Sequence, residues 1–161
     1  MRVSDGVQQH IKAQLGDKVV ESGEFNTDFW IKVHGKDLLP VIQFLRDDSK
    51  CLFDSYIDTC GVDYLNTKPR FESVTHLYSA QNKQRIRIRV LVDDKSLTVP
   101  SLVPFWKGAD WQERESFDMY GIKYDGHPNL QRILSAPGTE VFPQRKDYPL
   151  KGVRAIDEDL E

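Results

Sequence analysis

Residues 85–92, Arg-Ile-Arg-Ile-Arg-Val-Leu-Val, open with a strict alternation of charged and branched aliphatic side chains. No other stretch of the chain constrains the fold as much. In an extended segment it sets Ile86, Ile88 and Val90 on one face and Arg85, Arg87 and Arg89 on the other. The expectation is a strand with one face on a core and the other in water. The alternative is that the arginines meet an acidic partner, since Arg is enriched at interfaces. Phe71–Tyr78 reads as the other half of a hairpin, joined through residues 79–84.

Elements upstream follow from the same reasoning. Val3, Val7, Ile11 and Leu15 recur every four residues, with Ser4 placed as an N-cap and Gly16 as a stop, so residues 5–15 read as an amphipathic helix. Residues 17–22 and 28–34 read as strands joined through a turn at 23–27. Leu38, Val41, Ile42 and Leu45 mark a second helix, with Pro40 tolerated in its first turn. Residues 51–64 read as a long, irregular strand with Phe53, Ile57 and Val62 in the core. Residues 99–106 read as a brief helical turn. Asp110 opens a third helix with Glu113 at capping-box spacing, and Gly121 closes it in a left-handed position. From Pro128 onward come four of the eight prolines, which disfavours regular structure. The division is a core domain over 1–128 and an extended arm over 129–161, ending in the acidic residues Asp157–Glu161.

With 161 residues the chain suits one domain with a real core. A net charge of −3 disfavours a general nucleic-acid binder. Cys51 and Cys60 have neither zinc nor redox spacing and read as buried free thiols. Two thiols cannot hold an iron–sulfur cluster, which usually takes four. His10, His34, His76 and His127 show no helical metal spacing, and there is no phosphate-binding glycine loop. No cofactor is expected. No stretch approaches the ~18 apolar residues of a membrane span, so membrane association would come through a partner.

The third helix carries the unusual chemistry. Glu113, Arg114, Glu115 and Asp118 crowd a single short element. Successive helix residues lie about 100° apart, so Glu113 and Glu115 diverge and make a poor carboxylate pair for one substrate. A free-standing hydrolase using Glu113 or Glu115 is the reading from a different class. Arg114 and Asp118 are spaced to pair along the helix, a contact contributing only ~0.3–0.5 kcal/mol when exposed. Contact with another chain is a stronger reason for these charges, because Arg–carboxylate pairs are directional. Phe117 reads as the core residue of this helix.

Glu113-Arg114-Glu115, Asp118 with two apolar residues after it, His127-Pro128, Arg132-Ile133-Leu134 and the later Arg145-Lys146-Asp147-Tyr148-Pro149-Leu150 occur in order. Together they closely resemble the signature of the thirty-kilodalton subunit of respiratory complex I, the C subunit of NADH-quinone oxidoreductase. Gln131 stands where that family commonly has a basic residue. The resemblance implies an α+β domain with a mixed sheet of about five strands, helices on one face and a Pro-rich C-terminal arm. It implies a non-catalytic subunit of the peripheral arm, without flavin, iron–sulfur cluster or quinone ligands. That subunit would dock on the forty-nine-kilodalton-type subunit beside neighbouring iron–sulfur subunits, on the cytoplasmic face of the inner membrane. The equivalent module of a membrane-bound hydrogenase or formate hydrogenlyase shares the signature. The partner interface expected from the motif is Glu113, Arg114, Glu115, Asp118, His127, Arg132, Arg145, Lys146 and Asp147. The competing expectation is an internal salt-bridge network that locks the arm to the helix.

Overall fold

The computed structural model describes residues 2–152; the acidic tail lies outside them. Helix α1 (Asp5–Leu15) leads through a 3-10 turn into strand β1 (Val19–Phe25), then β2 (Asp28–His34) and helix α2 (Leu38–Asp47). Strands β3 (Ser55–Asp63), β4 (Phe71–Ser79) and β5 (Gln84–Val92) follow. A short β6 (Thr98–Pro100), helix α3 (Ala109–Tyr120) and a short β7 (Lys123–Asp125) complete the elements.

The five long strands form a mixed sheet in the order β1-β2-β5-β4-β3, in which β2 and β5 run parallel and the other pairs antiparallel. Strand β6 pairs in parallel with β7 in a separate ribbon. Ile86, Ile88 and Val90 are fully buried, beside Phe29, Ile31 and Val33 of β2. Ile11 and Leu15 of α1, and Val41, Ile42 and Leu45 of α2, belong to the same core cluster. Helix α3 packs along β3. The Tyr120 ring lies so close to Gly61 of β3 that a Cβ there would sit 2.5 Å from it.

The arginines of β5 point to the opposite face and find their carboxylates within the chain. Arg85 pairs with Asp28 at 2.9 Å, and Arg89 with Glu72 at 2.7 Å while lying over the Trp30 ring. Arg87 donates to His76, whose other ring nitrogen meets Asp58.

Three expectations are corrected. Strand β1 runs on to Phe25, and only Asn26 and Thr27 turn, both with positive φ, as a two-residue hairpin of this hand requires. Strand β3 starts at Ser55, after a turn that buries Cys51 and Phe53. A bulge between Tyr56 and Asp58 inserts one residue and breaks the alternation, so Ile57 is exposed, Val62 half-buried and Cys60 exposed. The stretch 99–106 begins in strand β6 before it turns.

Sheet edges invite unwanted pairing unless covered. Along β3 the side-chain amide of Gln112 takes that place. Its Oε1 accepts from the Thr59 N–H at 2.5 Å, and its Nε2 approaches the Ile57 carbonyl at 3.5 Å. Further along this edge, Asp63 receives the backbone N–H of Lys146.

Candidate functional site

Helix α3 has a polar buried side, which is why its sequence lacks an ordinary amphipathic pattern. Ala109, Glu113, Ser116, Asp118 and Met119 are buried, whereas Phe117 is only half-buried and so is not the core residue expected. The capping box does not form, because Gly108 is the N-cap and no side chain caps it. Glu113 turns instead toward the segment after β6. It accepts hydrogen bonds from the Ser101 hydroxyl and the Leu102 N–H, each at 2.6 Å. Burial pushes its pKa up to about 7 against the pull of those two donors, with the charge of Asp110 adding to the rise. Next to it, the Tyr124 hydroxyl joins Ser116 of α3 to Ser73 of β4.

Asp118 is also wholly buried. Its Oδ1 meets Arg132 at 2.7 Å, and its Oδ2 accepts the successive N–H groups of Ile133, Leu134 and Ser135 at 2.8–3.0 Å. Burial raises its pKa, but the donors from Ser135, Leu134 and Arg132 outweigh that and hold the carboxyl well below the usual range. Arg132 adds bonds to the Asp118 and Val141 carbonyls. The Arg114–Asp118 pair does not form. Arg114 donates instead to the carbonyls of Gln131 and Arg132. At position 131 it is thus the backbone, not the side chain, that makes this contact.

His127 fixes the loop after β7. Its Nδ1 accepts from the Asn129 N–H, so Nε2 carries the proton and donates to the Asp110 carbonyl at 3.1 Å. Gly121 ends α3 at φ +79, with Phe142 and Arg145 packed against it. Arg145 donates from Nε to the Tyr120 carbonyl at 2.7 Å and lies over the Phe142 and Phe71 rings, 4.3 and 5.0 Å from their centroids. Asp147 pairs with Arg70 at 2.9 Å, and the same Arg70 grips Asp63 with two bonds. Arg70 is the main reason the Asp63 carboxyl sits well below the usual range; burial opposes it, and the Lys146 and Leu65 N–H groups assist.

The motif residues therefore come together, but not as one exposed epitope. Glu113 and Asp118 present no surface. They join α3 to residues 101–102 and 132–135, as an internal network would. Glu115 and Lys146 are exposed, and Arg114 is half-buried. Sequence reasoning missed Gln112, Ser101, Asp63 and Arg70, whose partners lie far along the chain or follow no local pattern. A hydrolytic pair has no geometry here, since both Glu113 oxygens are taken and no solvent reaches them.

One cluster outside this region could donate to a metal. His10, Asp48 and Cys51 bring a ligand atom each within 4.8 Å of one another. Their present contacts have a structural explanation. His10 bonds Asp48 at 3.1 Å, which ties α1 to the end of α2, and burial together with the Asp48 charge pushes the Cys51 thiol up to about 12.

Comparison with known proteins agrees with the signature. The family described as "Respiratory-chain NADH dehydrogenase, 30 Kd subunit" matches residues 31–154. The C subunit of NADH-quinone oxidoreductase from Hyphomonas neptunium is 43% identical over 143 residues, which covers 89% of this chain and 70% of that protein. Its namesake in a Roseiflexus species is 45% identical over 144 residues, covering 89% and 83%. One from Burkholderia multivorans is 44% identical over 153 residues, covering 91% and 76%. Among solved structures, a trypsin-resistant fragment of Nqo5 superposes with a TM-score of 0.63 at 23% identity, covering 78% of this chain and 98% of that one. A chain of the membrane-bound sulfane sulfur reductase, an archaeal respiratory membrane complex, gives 0.73 at 16% identity, covering 98% and 95%. These two likenesses bear on the fold alone. No helix among the described residues is long and apolar enough to cross a membrane. By its motifs, its fold and its relatives, the chain belongs to this family of respiratory-chain NADH dehydrogenase subunits.

Proposed function

We propose that the chain is a non-catalytic subunit of the peripheral arm of a proton-pumping NADH:quinone oxidoreductase. It docks on the forty-nine-kilodalton-type subunit and stabilises the quinone-reducing module from the cytoplasmic side of the membrane. The observation that carries this reading is 43–45% identity to relatives of that name over about nine-tenths of the chain. The geometry of the motif supports it, because its buried acids are spent on joining α3 to residues 101–102 and to the arm, and not on a substrate. In this role the chain needs no cofactor, and electrons pass through its neighbours. Arg114, Glu115 and Lys146 contribute directly to the interface. Asp118, His127, Arg132 and Asp147 position the arm, Glu113 fixes α3 against residues 101–102, and Arg145 holds the end of α3.

Purification of the tagged chain from its own host tests the reading. The expected result is co-purification of the forty-nine-kilodalton-type subunit together with NADH:quinone reductase activity. Recovery with a hydrogenase large subunit would instead favour the related hydrogenase module. Recovery of the chain alone, with hydrolytic turnover, would reject both.

A further inference from the structure

Two of the three tryptophans are engaged within the chain. Trp106 donates its indole N–H to the Asp54 carbonyl at 2.7 Å and stacks on Tyr56. Trp30 lies beneath Arg89. Trp111 differs: it stands on α3 with 70% of its surface exposed. Arg114 and Glu115 lie three and four residues further on, on the same side of the helix. Arg114 also reaches the carbonyls of Gln131 and Arg132, so this side of α3 continues into the arm. Two residues later comes Leu134, 64% exposed although its N–H is fixed at 2.8 Å by the buried Asp118 carboxylate. The Asp118 cradle therefore presents a large apolar side chain to solvent on rigid backbone. Arg114 spends its hydrogen bonds on backbone carbonyls, and among the described residues no carboxylate forms an ion pair with it.

We infer that Trp111 and Leu134 are the apolar anchors of a docking surface, with Arg114 and Glu115 between and beside them. The occupant is the forty-nine-kilodalton-type subunit, offering an apolar pocket rimmed by a carboxylate for Arg114 and a cation for Glu115. This rests on the docking reading above and specifies its surface. Exposed Trp on a pre-ordered element is the chemistry of an interface hot spot. The two signs of charge around it suit a protein surface. A polyanion such as an anionic membrane or a nucleic acid would be repelled by Glu115 and by the net charge of −3.

The test uses the full chain and the separately tagged large partner of the same source, with the dissociation constant measured for each variant. Trp111→Ala is expected to weaken binding by about thirty-fold or more, and Leu134→Ala by roughly tenfold. Both should melt within about 2 °C of the parent, because exposed substitutions away from special features cost little. Val20→Ala, on the exposed edge strand β1, is the control and should bind within about twofold of the parent. Tight binding by the parent with no loss in Trp111→Ala and Leu134→Ala would overturn this inference and leave the docking reading standing. No binding by the parent would overturn both. Self-association, or adsorption to anionic vesicles, that Trp111→Ala abolishes would assign the surface to a different occupant and so also overturn it.

Discussion

Two regions of this molecule use the same pair of groups, arginine and carboxylate, to opposite ends. Across the outer face of the sheet, Arg85 and Asp28 meet with 44% and 19% of their side chains exposed. Beneath the arm, Arg132 and Asp118 meet with 17% and 0%. In the first pair water competes for both partners, and removal of either leaves the other hydrated. In the second, Asp118 also holds three backbone N–H groups, so its loss would strand four donors at once. The lesson is that charge density along a sequence says little about energetic weight. What decides it is whether the carboxylate still faces solvent once its partners are in place.

The largest effect expected is therefore at Asp118. Asp118→Ala should lower stability by ~3–5 kcal/mol, the usual cost of breaking a buried pair, read by chemical denaturation. Asp118→Asn, which keeps the shape and loses the charge, should recover only part of it. Since the folded-state pKa lies below the ordinary value, this contribution is complete above the unfolded-state pKa. It is lost as the pH falls from there through the lower folded value. A loss below ~1 kcal/mol for Asp118→Ala, the range of an exposed pair, would erase the contrast between the two regions.

The sheet itself offers a second measure on a single strand. Ile88→Ala should cost ~2–5 kcal/mol, as for a buried aliphatic side chain. Arg87→Ala, one residue away on the other face, should cost far less. Equal losses would mean that the outer face is as fully packed as the inner.

These regions also differ in how far the sequence discloses them. Periodicity is a local property, and the elements it governs are legible: α1 over Asp5–Leu15 and β2 over Asp28–His34 lie where the pattern puts them. Gly121 takes the left-handed position that its place after α3 implies. Strand β3 is harder to read because a bulge shifts parity without leaving a mark in the composition, so Ile57 is exposed where alternation would bury it. The polar side of α3 is hidden for another reason. Glu113 and Asp118 look like surface charges until residues 101–102 and 132–135 arrive, and no local pattern announces those contacts. Arg70 and Asp63 carry no signal at all, for the ion pair from Arg70 to Asp147 crosses nearly half the chain.

Glu113 sharpens the comparison, because it is a buried acid with no cationic partner among the described residues. Its pKa is raised to about 7 in the folded chain, while the unfolded chain releases the proton near the ordinary value of 4.5. Between those values the folded state binds more protons, so stability falls as the pH rises and levels off above about 7. The full span corresponds to roughly 3 kcal/mol. Glu113→Gln should flatten this part of the stability–pH curve. Asp118→Asn should leave it intact and alter only the acid limb, so the two variants separate the two buried acids.

The smallest effect belongs to the exposed pair. Arg85→Ala removes the closest partner of Asp28, yet Arg87 remains 3.4 Å from that carboxylate and water reaches both. The expected cost is ~0–1 kcal/mol, and it should shrink further between low salt and ~0.5 M salt as screening shortens the range of the charges. Asp28 is held below its ordinary pKa chiefly by Arg85, opposed by burial, so in the variant its titration should move back toward the ordinary value. That shift, followed by NMR, shows that the pair was real even where stability hardly changes. A large, salt-insensitive loss would instead mean that the outer ladder behaves as a buried network. Solvent access would then not be what divides the two regions.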